Sequence, residues 1–246
     1  MNSLNKINTE KKKKKIKAES LLQPDEKLEF LDDKKLYIIQ GGKGERFSID
    51  SLLLSRFIKL NNKEKMIDIG TGNGIIPFMT YHPKQKNKII GIEIQKKLAG
   101  IAQRSIILNH LSHSIQILQG DIRKLKNTFQ EESFDVMTAN PPYFAIGCGK
   151  ISEEKRNHLA RHESTFSLED LANICRILLK KQGRLYTIYR TDRLVHLFCT
   201  LCKYNIEPKY LQLIYTTRQN NSKRILLESR KEGGKGLTVL PPLFLN

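Results

Sequence analysis

The sequence predicts an α/β protein built around a doubly wound, mostly parallel sheet. From about residue 65 onward, short apolar strands alternate with amphipathic segments of helical spacing, the pattern of successive β-α-β units. Helices cover both faces of a sheet of that kind. Near the end, two strands follow the last helix with no helix between them, which predicts an antiparallel hairpin at one edge.

The individual elements follow from local patterns. A short strand over 36–39 precedes a helix over 47–60, which Ser48 or Asp50 would cap. The seven strands of the predicted sheet are 65–69, 88–94, 115–119, 134–140, 183–190, 210–216 and 224–229. One helix is predicted to begin at residue 74, and three more span 95–111, 167–181 and 193–204. The sequence therefore predicts a single Rossmann-like domain over 22–246, preceded by a disordered, Lys-rich tail over 1–21.

The charge balance indicates the kind of partner. The chain has 43 Lys and Arg against 25 Asp and Glu, a formal net charge of +18. Such an excess attracts polyanions, of which nucleic acid is the commonest; the alternative is a basic tail that only aids solubility. No apolar run approaches the roughly 20 residues of a membrane span, and no apolar segment follows Lys11–Lys15 as in a secretory signal. Cys199 and Cys202 are predicted to be buried free thiols, and the protein to be cytoplasmic.

A glycine loop follows the first strand of the sheet, in the segment IDIGTGNGII. Gly70, Gly72 and Gly74 allow positive φ and let a ligand approach the backbone. Such loops serve NAD, FAD or S-adenosylmethionine. Ile75 stands where the dinucleotide fingerprint needs its third glycine, which counts against a pyrophosphate at this position.

Two acidic residues stand at the ends of the next two strands. Glu93 can accept hydrogen bonds from both hydroxyls of a ribose. Asp121 can accept a hydrogen bond from the exocyclic amine of an adenine, and Ile94 and Ile122 follow these acids and could cover the two faces of the ring. Each acid alone is an ordinary loop residue or helix cap. Together with the glycine loop they predict an adenosine-bearing cofactor, S-adenosylmethionine ahead of NAD.

The segment NPPYF ends the fourth strand, beside this predicted cofactor site. Asn140 can accept a hydrogen bond through its side-chain oxygen, and Pro141 and Pro142 stiffen the turn and carry no N–H. A planar amine could donate one N–H to Asn140 and the other to the Pro141 carbonyl, which would aim its lone pair at a methyl sulfonium. Tyr143, and with it Phe144, would stack on a flat substrate.

Together these motifs resemble a known family. The glycine loop and Asn140–Tyr143 are similar to class I amino-methyltransferases that act on exocyclic or amide nitrogens. The further segments FSIDSLLLSRF, ARHESTFSLEDL and GGKGLTVLPPL resemble the bacterial tRNA1(Val) (adenine-37-N6)-methyltransferases, from about residue 36 onward. The resemblance implies methylation of N6 of adenine 37 in tRNA-Val. It also implies cofactor contacts at Asp50, Asp68, Gly70, Thr71, Gly72, Gly74, Glu93, Ile94, Asp121, Ile122 and Asn140.

An adenine inside an anticodon loop must be extruded from its stack to reach such a site, at a cost of a few kcal/mol. Phosphate contacts from cationic side chains would offset that cost. The candidates are Lys11–Lys15, Arg156, Arg161, Arg190, Arg193, Lys231 and Lys235.

Other functions are also compatible with these motifs. A protein-glutamine methyltransferase acting on release factors also uses NPPY, as do other nucleic-acid amino-methyltransferases. A non-enzymatic nucleic-acid-binding protein with a decayed methyltransferase fold is a rival of another class. His158 and His162 are four residues apart, but no third ligand indicates a metal site. Monomer and homodimer are equally compatible with the sequence.

Overall fold

A computed structural model describes residues 20–42, 46–140 and 166–245. The hairpin pairs β1 (Lys27–Leu31) with β2 (Leu36–Gln40), and α1 (Ile49–Phe57) follows. The central elements are β3 (Lys65–Ile69), α2 (Ile75–Thr80), β4 (Lys88–Glu93), α3 (Lys96–Leu108), β5 (Ile115–Gln119), α4 (Ile122–Leu125) and β6 (Phe134–Ala139). The C-terminal elements are α5 (Leu168–Leu178), β7 (Leu179–Arg190), α6 (Leu194–Lys203), β8 (Ile206–Tyr215), β9 (Arg224–Lys231), β10 (Thr238–Val239) and β11 (Leu243–Phe244).

The main sheet confirms the predicted architecture. Its order is β10-β8-β9-β7-β6-β3-β4-β5, with β11 paired to β8. Strands β3 to β7 are parallel, and β9 is antiparallel to both β7 and β8. The seven predicted strands are present, and the two-residue strands β10 and β11 extend the sheet to nine. We call the edge at which the parallel strands end the carboxyl edge, and the opposite edge the amino edge.

Each face of the sheet carries its own apolar core. On one face, α1, α2 and α3 bury side chains such as Leu54, Phe78 and Ala102. On the other, α5 and α6 bury Leu171, Leu178 and Leu201. Burial of apolar surface on both faces is what the near-continuous apolar character of the central strands requires.

The sequence did not predict β1, which pairs with β2 to form a separate two-stranded sheet. The backbone N–H of Ile39 donates to Ser105 Oγ at 2.9 Å, and that of Tyr37 donates to Asn109 Oδ1 at 2.9 Å. Both acceptors lie on α3 or at its end, so this helix satisfies the outer edge of β2. The predicted division into a tail (1–21) and one domain (22–246) stays a prediction, because residues 1–19 lie outside the described part.

Two local predictions are wrong. The helix predicted to reach residue 181 ends at Leu178, because Leu179 already pairs with Phe134 in the sheet. Cys199 and Cys202 are free thiols but exposed, because α6 turns Leu197 and Leu201 toward the core instead. Within the described residues, no helix is long and apolar enough to cross a membrane, and no group of three or more His, Cys, Asp or Glu could hold a metal ion.

Candidate active site

The glycine loop and Asn140 lie side by side at the carboxyl edge. Ile69, the last residue of β3, pairs with Ala139, the last residue of the parallel strand β6. The next residues, Gly70 and Asn140, therefore leave neighbouring strands about 4.8 Å apart. The chain also reverses its direction of travel across the sheet here, since β4 and β5 lie on one side of β3 and β6 and β7 on the other. Ligands of open α/β sheets bind at such a switch point.

The glycine loop has the conformation that its sequence predicts. Gly70 has φ +70° and Gly72 φ +59°, values that cost a residue with a side chain roughly 1–2 kcal/mol. A Cβ at either position would meet no atom within 4 Å. The two backbones therefore border open space, which fits a ligand held close to the main chain.

Asp68 lies beneath this loop, fully buried in β3. Its Oδ1 accepts a hydrogen bond from Thr138 Oγ1 on β6, at 2.5 Å. Burial raises the pKa of the Asp68 carboxyl to about 7, and hydrogen bonding to the side chains of Thr138 and Thr71 opposes the shift. Nδ2 of the loop residue Asn73 is buried without a hydrogen-bond partner. Since buried polar atoms are nearly always satisfied, this nitrogen fits a polar ligand at the loop.

Thr71 is buried, and its predicted contact with the cofactor stays a prediction. Its side chain is buried beneath β4, where a Cβ on Gly91 would lie only 2.9 Å from Thr71 Oγ1. Its backbone N–H donates to Ile92 O at 3.0 Å. Thr71 therefore fastens the loop to β4, and its side chain does not face the open space at the loop.

Glu93 ends β4 and connects it to the glycine loop. Its Oε2 accepts from the backbone N–H of Gly72 at 2.8 Å, and its Oε1 accepts from that of Gln95 at 2.9 Å. Burial raises the pKa of Glu93, and these backbone hydrogen bonds oppose the shift. The backbone N–H of Ile94 also acts on this carboxylate, which has about four acceptor positions. Glu93 therefore retains the capacity to accept from one ribose hydroxyl, and contact with both stays a prediction.

Asp121 caps α4, accepting from the backbone N–H of Arg123 at 2.9 Å. The Arg123 guanidinium also pairs with it at 2.5 Å and lowers the pKa of Asp121. An adenine amine would share this carboxylate with Arg123. Ile94 is 57% exposed and could cover a ring, whereas Ile122 is 4% exposed and packs into the core. The structure therefore does not support the prediction that Ile122 covers one face of the adenine ring.

Asn140 is held by the first turn of α1. Its Nδ2 donates to Ser51 Oγ at 3.0 Å. The following motif residues Pro141, Pro142, Tyr143 and Phe144 lie outside the described residues, as do Arg156 and Arg161. Their predicted roles stay predictions.

Asp50 lies in the same turn of α1 and is 4% exposed. Its Oδ2 accepts from Nε of Arg224, the first residue of β9, at 2.8 Å. The ion pair ties α1 to the C-terminal half of the sheet. Contact between Asp50 and a methionine group stays a prediction.

Some of the cationic residues predicted to contact RNA lie at the carboxyl edge of the sheet, and others lie at the amino edge. Arg190 and Arg193 follow the carboxyl end of β7, and Arg190 pairs with Asp192 at 2.5 Å. Lys231, by contrast, is 5% exposed and donates to Glu132 Oε1 at 2.6 Å. It ends the antiparallel strand β9 at the amino edge, roughly 23 Å from the start of that strand. Lys231 is therefore not available as a phosphate contact, whereas a phosphate contact by the exposed Lys235, in the loop that follows, stays a prediction.

Sequence reasoning missed several residues at the carboxyl edge. Ser51, Thr138 and Arg224 contact the predicted site residues Asn140, Asp68 and Asp50. These partners are 70 or more residues apart in the chain, so no local spacing could indicate them. Residues Arg218, Lys223 and Phe244 reach the same edge through β8, β9 and β11.

Comparison with known proteins agrees with this geometry. Residues 60–234 match a family model described as a methyltransferase domain, and the chain belongs to that family. The fold is similar to the crystal structure of a predicted O-methyltransferase from Agrobacterium tumefaciens, with a TM-score of 0.64 at 20% identity over 80% of this chain and 88% of that chain.

Two curated relatives indicate which methyltransferases this chain is similar to in sequence. A tRNA1(Val) (adenine(37)-N6)-methyltransferase of Porphyromonas gingivalis is 32% identical over 205 residues, covering 80% of this chain and 79% of its own. An enzyme of the same name from Shewanella halifaxensis is 30% identical, covering 70% and 69%. The chain belongs to the family of these enzymes, which confirms the resemblance seen in the motifs.

Proposed function

We propose that the protein transfers a methyl group from S-adenosylmethionine to N6 of an adenine in tRNA, with adenine 37 of tRNA-Val as the expected target. One observation carries the proposal: the pairing of Ile69 with Ala139 sets the glycine loop beside Asn140. A cofactor loop and an amine-binding side chain are needed within one small volume for direct transfer. The names of the curated relatives support tRNA as the substrate.

The residues present fit the cofactor. The backbone exposed at Gly70 and Gly72, the buried Nδ2 of Asn73 and the Asp68 carboxyl would hold its methionine end. Glu93 would bind the ribose, and Asp121 and Ile94 the adenine. S-adenosylmethionine supplies the activated methyl group when bound.

Asn140 would orient the acceptor nitrogen. Its side-chain oxygen and the Pro141 carbonyl would each accept one N–H of the adenine amine, which localises the nitrogen lone pair that is otherwise delocalised into the ring. This is positioning and electrostatic preorganisation, and it needs no base before the transfer step. Once N6 carries the methyl group, its surplus proton would pass to solvent water.

The carboxyl edge also offers a surface for the RNA. Arg218 and Lys223 are exposed in the turn between β8 and β9. The Arg218 guanidinium lies 5.7 Å from the ring centre of Phe244, which is 38% exposed and stacks on Tyr215. Cations beside aromatic rings suit an unpaired, single-stranded segment. We propose these residues as RNA contacts in place of Lys231 and Lys235, which lie at the amino edge. The proposed set also includes Arg190 and Arg193, together with Lys11–Lys15, Arg156 and Arg161, which lie outside the described residues.

The direct test is methyl transfer from labelled cofactor to total tRNA, with a release factor in a parallel reaction. We expect label in tRNA, and N6-methyladenosine in its nucleoside digest by mass spectrometry. Label in the protein alone would assign the NPPY motif to a glutamine amide and overturn the proposal. A tRNA substrate would also place the protein in the cytoplasm, which localisation by fluorescence microscopy would check.

A further inference from the structure

We propose that Ser51 is a positioning residue that fixes the orientation of the Asn140 carboxamide toward the acceptor amine. This inference rests on the proposed role of Asn140 in the reaction and assigns that role a partner on α1. Its basis is the hydrogen bond from Asn140 Nδ2 to Ser51 Oγ at 3.0 Å, between residues 89 positions apart.

A carboxamide has two chemically opposite ends. Its oxygen accepts hydrogen bonds and its nitrogen donates them. An amine substrate presents N–H groups, so only the oxygen end can receive it; a carboxamide turned by half a rotation would oppose donor to donor. A serine hydroxyl can donate or accept, but Ser48 Oγ lies 3.2 Å from Ser51 Oγ and can take its proton. Ser51 Oγ can then only accept, so it holds the nitrogen end of the carboxamide and leaves Oδ1 available to the substrate.

Ser51 can do this because its own position is fixed. Its backbone N–H donates to Ser48 Oγ at 3.3 Å, and the two hydroxyl oxygens are 3.2 Å apart. The adjacent Asp50 is anchored by Arg224 at 2.8 Å. The first turn of α1 is thus tied both to its own cap and to β9, which restrains the Ser51 hydroxyl.

A purely structural role for Ser51 fits the contacts less well. The N-cap of α1 is Ser48, whose side chain accepts from the Ser51 backbone N–H, so the cap survives removal of the Ser51 hydroxyl. Ser51 is partly exposed at the carboxyl edge and contributes no side chain to the buried core. Its hydroxyl instead contacts the amide that the reaction would use.

The test compares Ser51→Ala with Ser51→Thr and with Ser55→Ala as a matched control. Ser55 lies one turn further along the same helix, and its hydroxyl donates to Leu52 O, away from Asn140. We expect Ser51→Ala to lower kcat about tenfold, the loss expected from one misplaced hydrogen bond. The Kd for S-adenosylmethionine and the Tm should change little, and Thr should restore most of the activity.

Ser55→Ala should lower the Tm by a few degrees and leave kcat within about twofold of the wild-type value. In an Asn140→Ala background, Ser51→Ala should have no further effect, because the two residues act through one contact. An unchanged kcat for Ser51→Ala would overturn the inference, and so would a loss that Thr does not restore.

The outcome for the wild-type protein is read first. Transfer to tRNA supports the proposed function whether or not Ser51 matters. Transfer to a protein amide alone would overturn the proposed substrate, and the same variants would then test Ser51 on that amide. A wild-type protein inactive on both substrates would overturn both proposals.

Discussion

Two glycine loops of this protein look alike in the sequence and lie at opposite edges of the sheet. Gly70–Gly74 follows β3, and Gly233–Gly236 follows β9 beside two lysines. Both contain a residue of positive φ with open space where a Cβ would be: Gly72 at +59° and Gly236 at +116°. Only the first loop lies beside Asn140.

The direction of the preceding strand explains the difference. β3 is parallel to its neighbours and ends at the carboxyl edge. β9 is antiparallel to β7 and therefore ends at the amino edge, where Lys231 pairs with Glu132. A glycine-rich and basic composition thus indicates a loop, but strand direction decides whether the loop can take part in the site.

Among the substitutions that compare the two loops, Asn140→Ala, beside the first loop, should have the largest effect on activity. We expect kcat to fall by about 10²–10³, as for other single groups that act by preorganised hydrogen bonding. The Kd for S-adenosylmethionine should stay within about threefold, since backbone and carboxylates hold the cofactor. Steady-state kinetics with tRNA and calorimetric titration of the cofactor measure the two quantities. Equal loss of both would give Asn140 a role in the fold instead.

The next effect concerns Asp68, which supports the first loop. The pKa of Asp68 in the folded protein is about 7, above the ordinary value of 3.8. Between these two pH values the folded state keeps a proton that the unfolded state has lost. Rising pH therefore destabilises the fold between about pH 4 and 7, by up to roughly 4 kcal/mol at 1.36 kcal/mol per pKa unit.

Asp68→Asn removes this titration and can keep the Thr138 contact through its amide oxygen. Its stability relative to wild type should rise with pH up to about 7 and then level off. Urea unfolding of both proteins from pH 4 to pH 9 measures the difference. A difference independent of pH would show that Asp68 is ionised in the folded protein throughout.

The two loops can be compared directly with the pair Gly72→Ala and Gly236→Ala. Each substitution forces a side chain into a positive-φ conformation, so each should cost about 1–2 kcal/mol of stability. Only Gly72→Ala places a methyl group in the proposed cofactor space, and we expect its cofactor Kd to rise at least tenfold. A similar rise for Gly236→Ala would contradict the separation of the two edges.

The smallest effects should come from single surface cations. Lys223→Ala or Arg218→Ala, at the carboxyl edge, should each reduce the slope of log K against log salt by about 0.7 if one phosphate contact of a single-stranded segment is lost. Lys235→Ala, in the second glycine loop, should leave the slope unchanged. Filter binding of tRNA over a range of salt concentrations measures the slopes; a reduced slope for Lys235→Ala would restore the amino edge to the RNA surface.

Much of the fold was accessible from local pattern. The bounds of β3 and β5 agree with the prediction residue for residue. β3 is a run of buried residues after Lys65, and the edge strand β5 alternates buried isoleucines with glutamines, so both patterns end sharply at a glycine. The hairpin strand β1 was missed, since the alternating segment KLEFL is short and partly exposed. The end of α5 was misplaced, because Leu179 satisfies a helical and a strand pattern equally and only its pairing with Phe134 decides between them.

In the candidate site, too, local sequence indicated some residues, and only the folded structure revealed others. Chain-local chemistry indicated the glycine loop, Glu93 and Asn140 as candidates, because each requirement is met by residues adjacent in the chain: backbone freedom after a strand, or an acid or amide at a strand end. Asp68, inside β3, was indicated only by the family resemblance. Contacts between segments that are distant in the chain could not be predicted from local sequence. Ser51 on Asn140, Arg224 on Asp50, the burial of Lys231 and the inward position of Ile122 all depend on which strands pair and in which direction. Pairing is a non-local choice settled by the packing of the whole sheet, so only the folded chain reveals it.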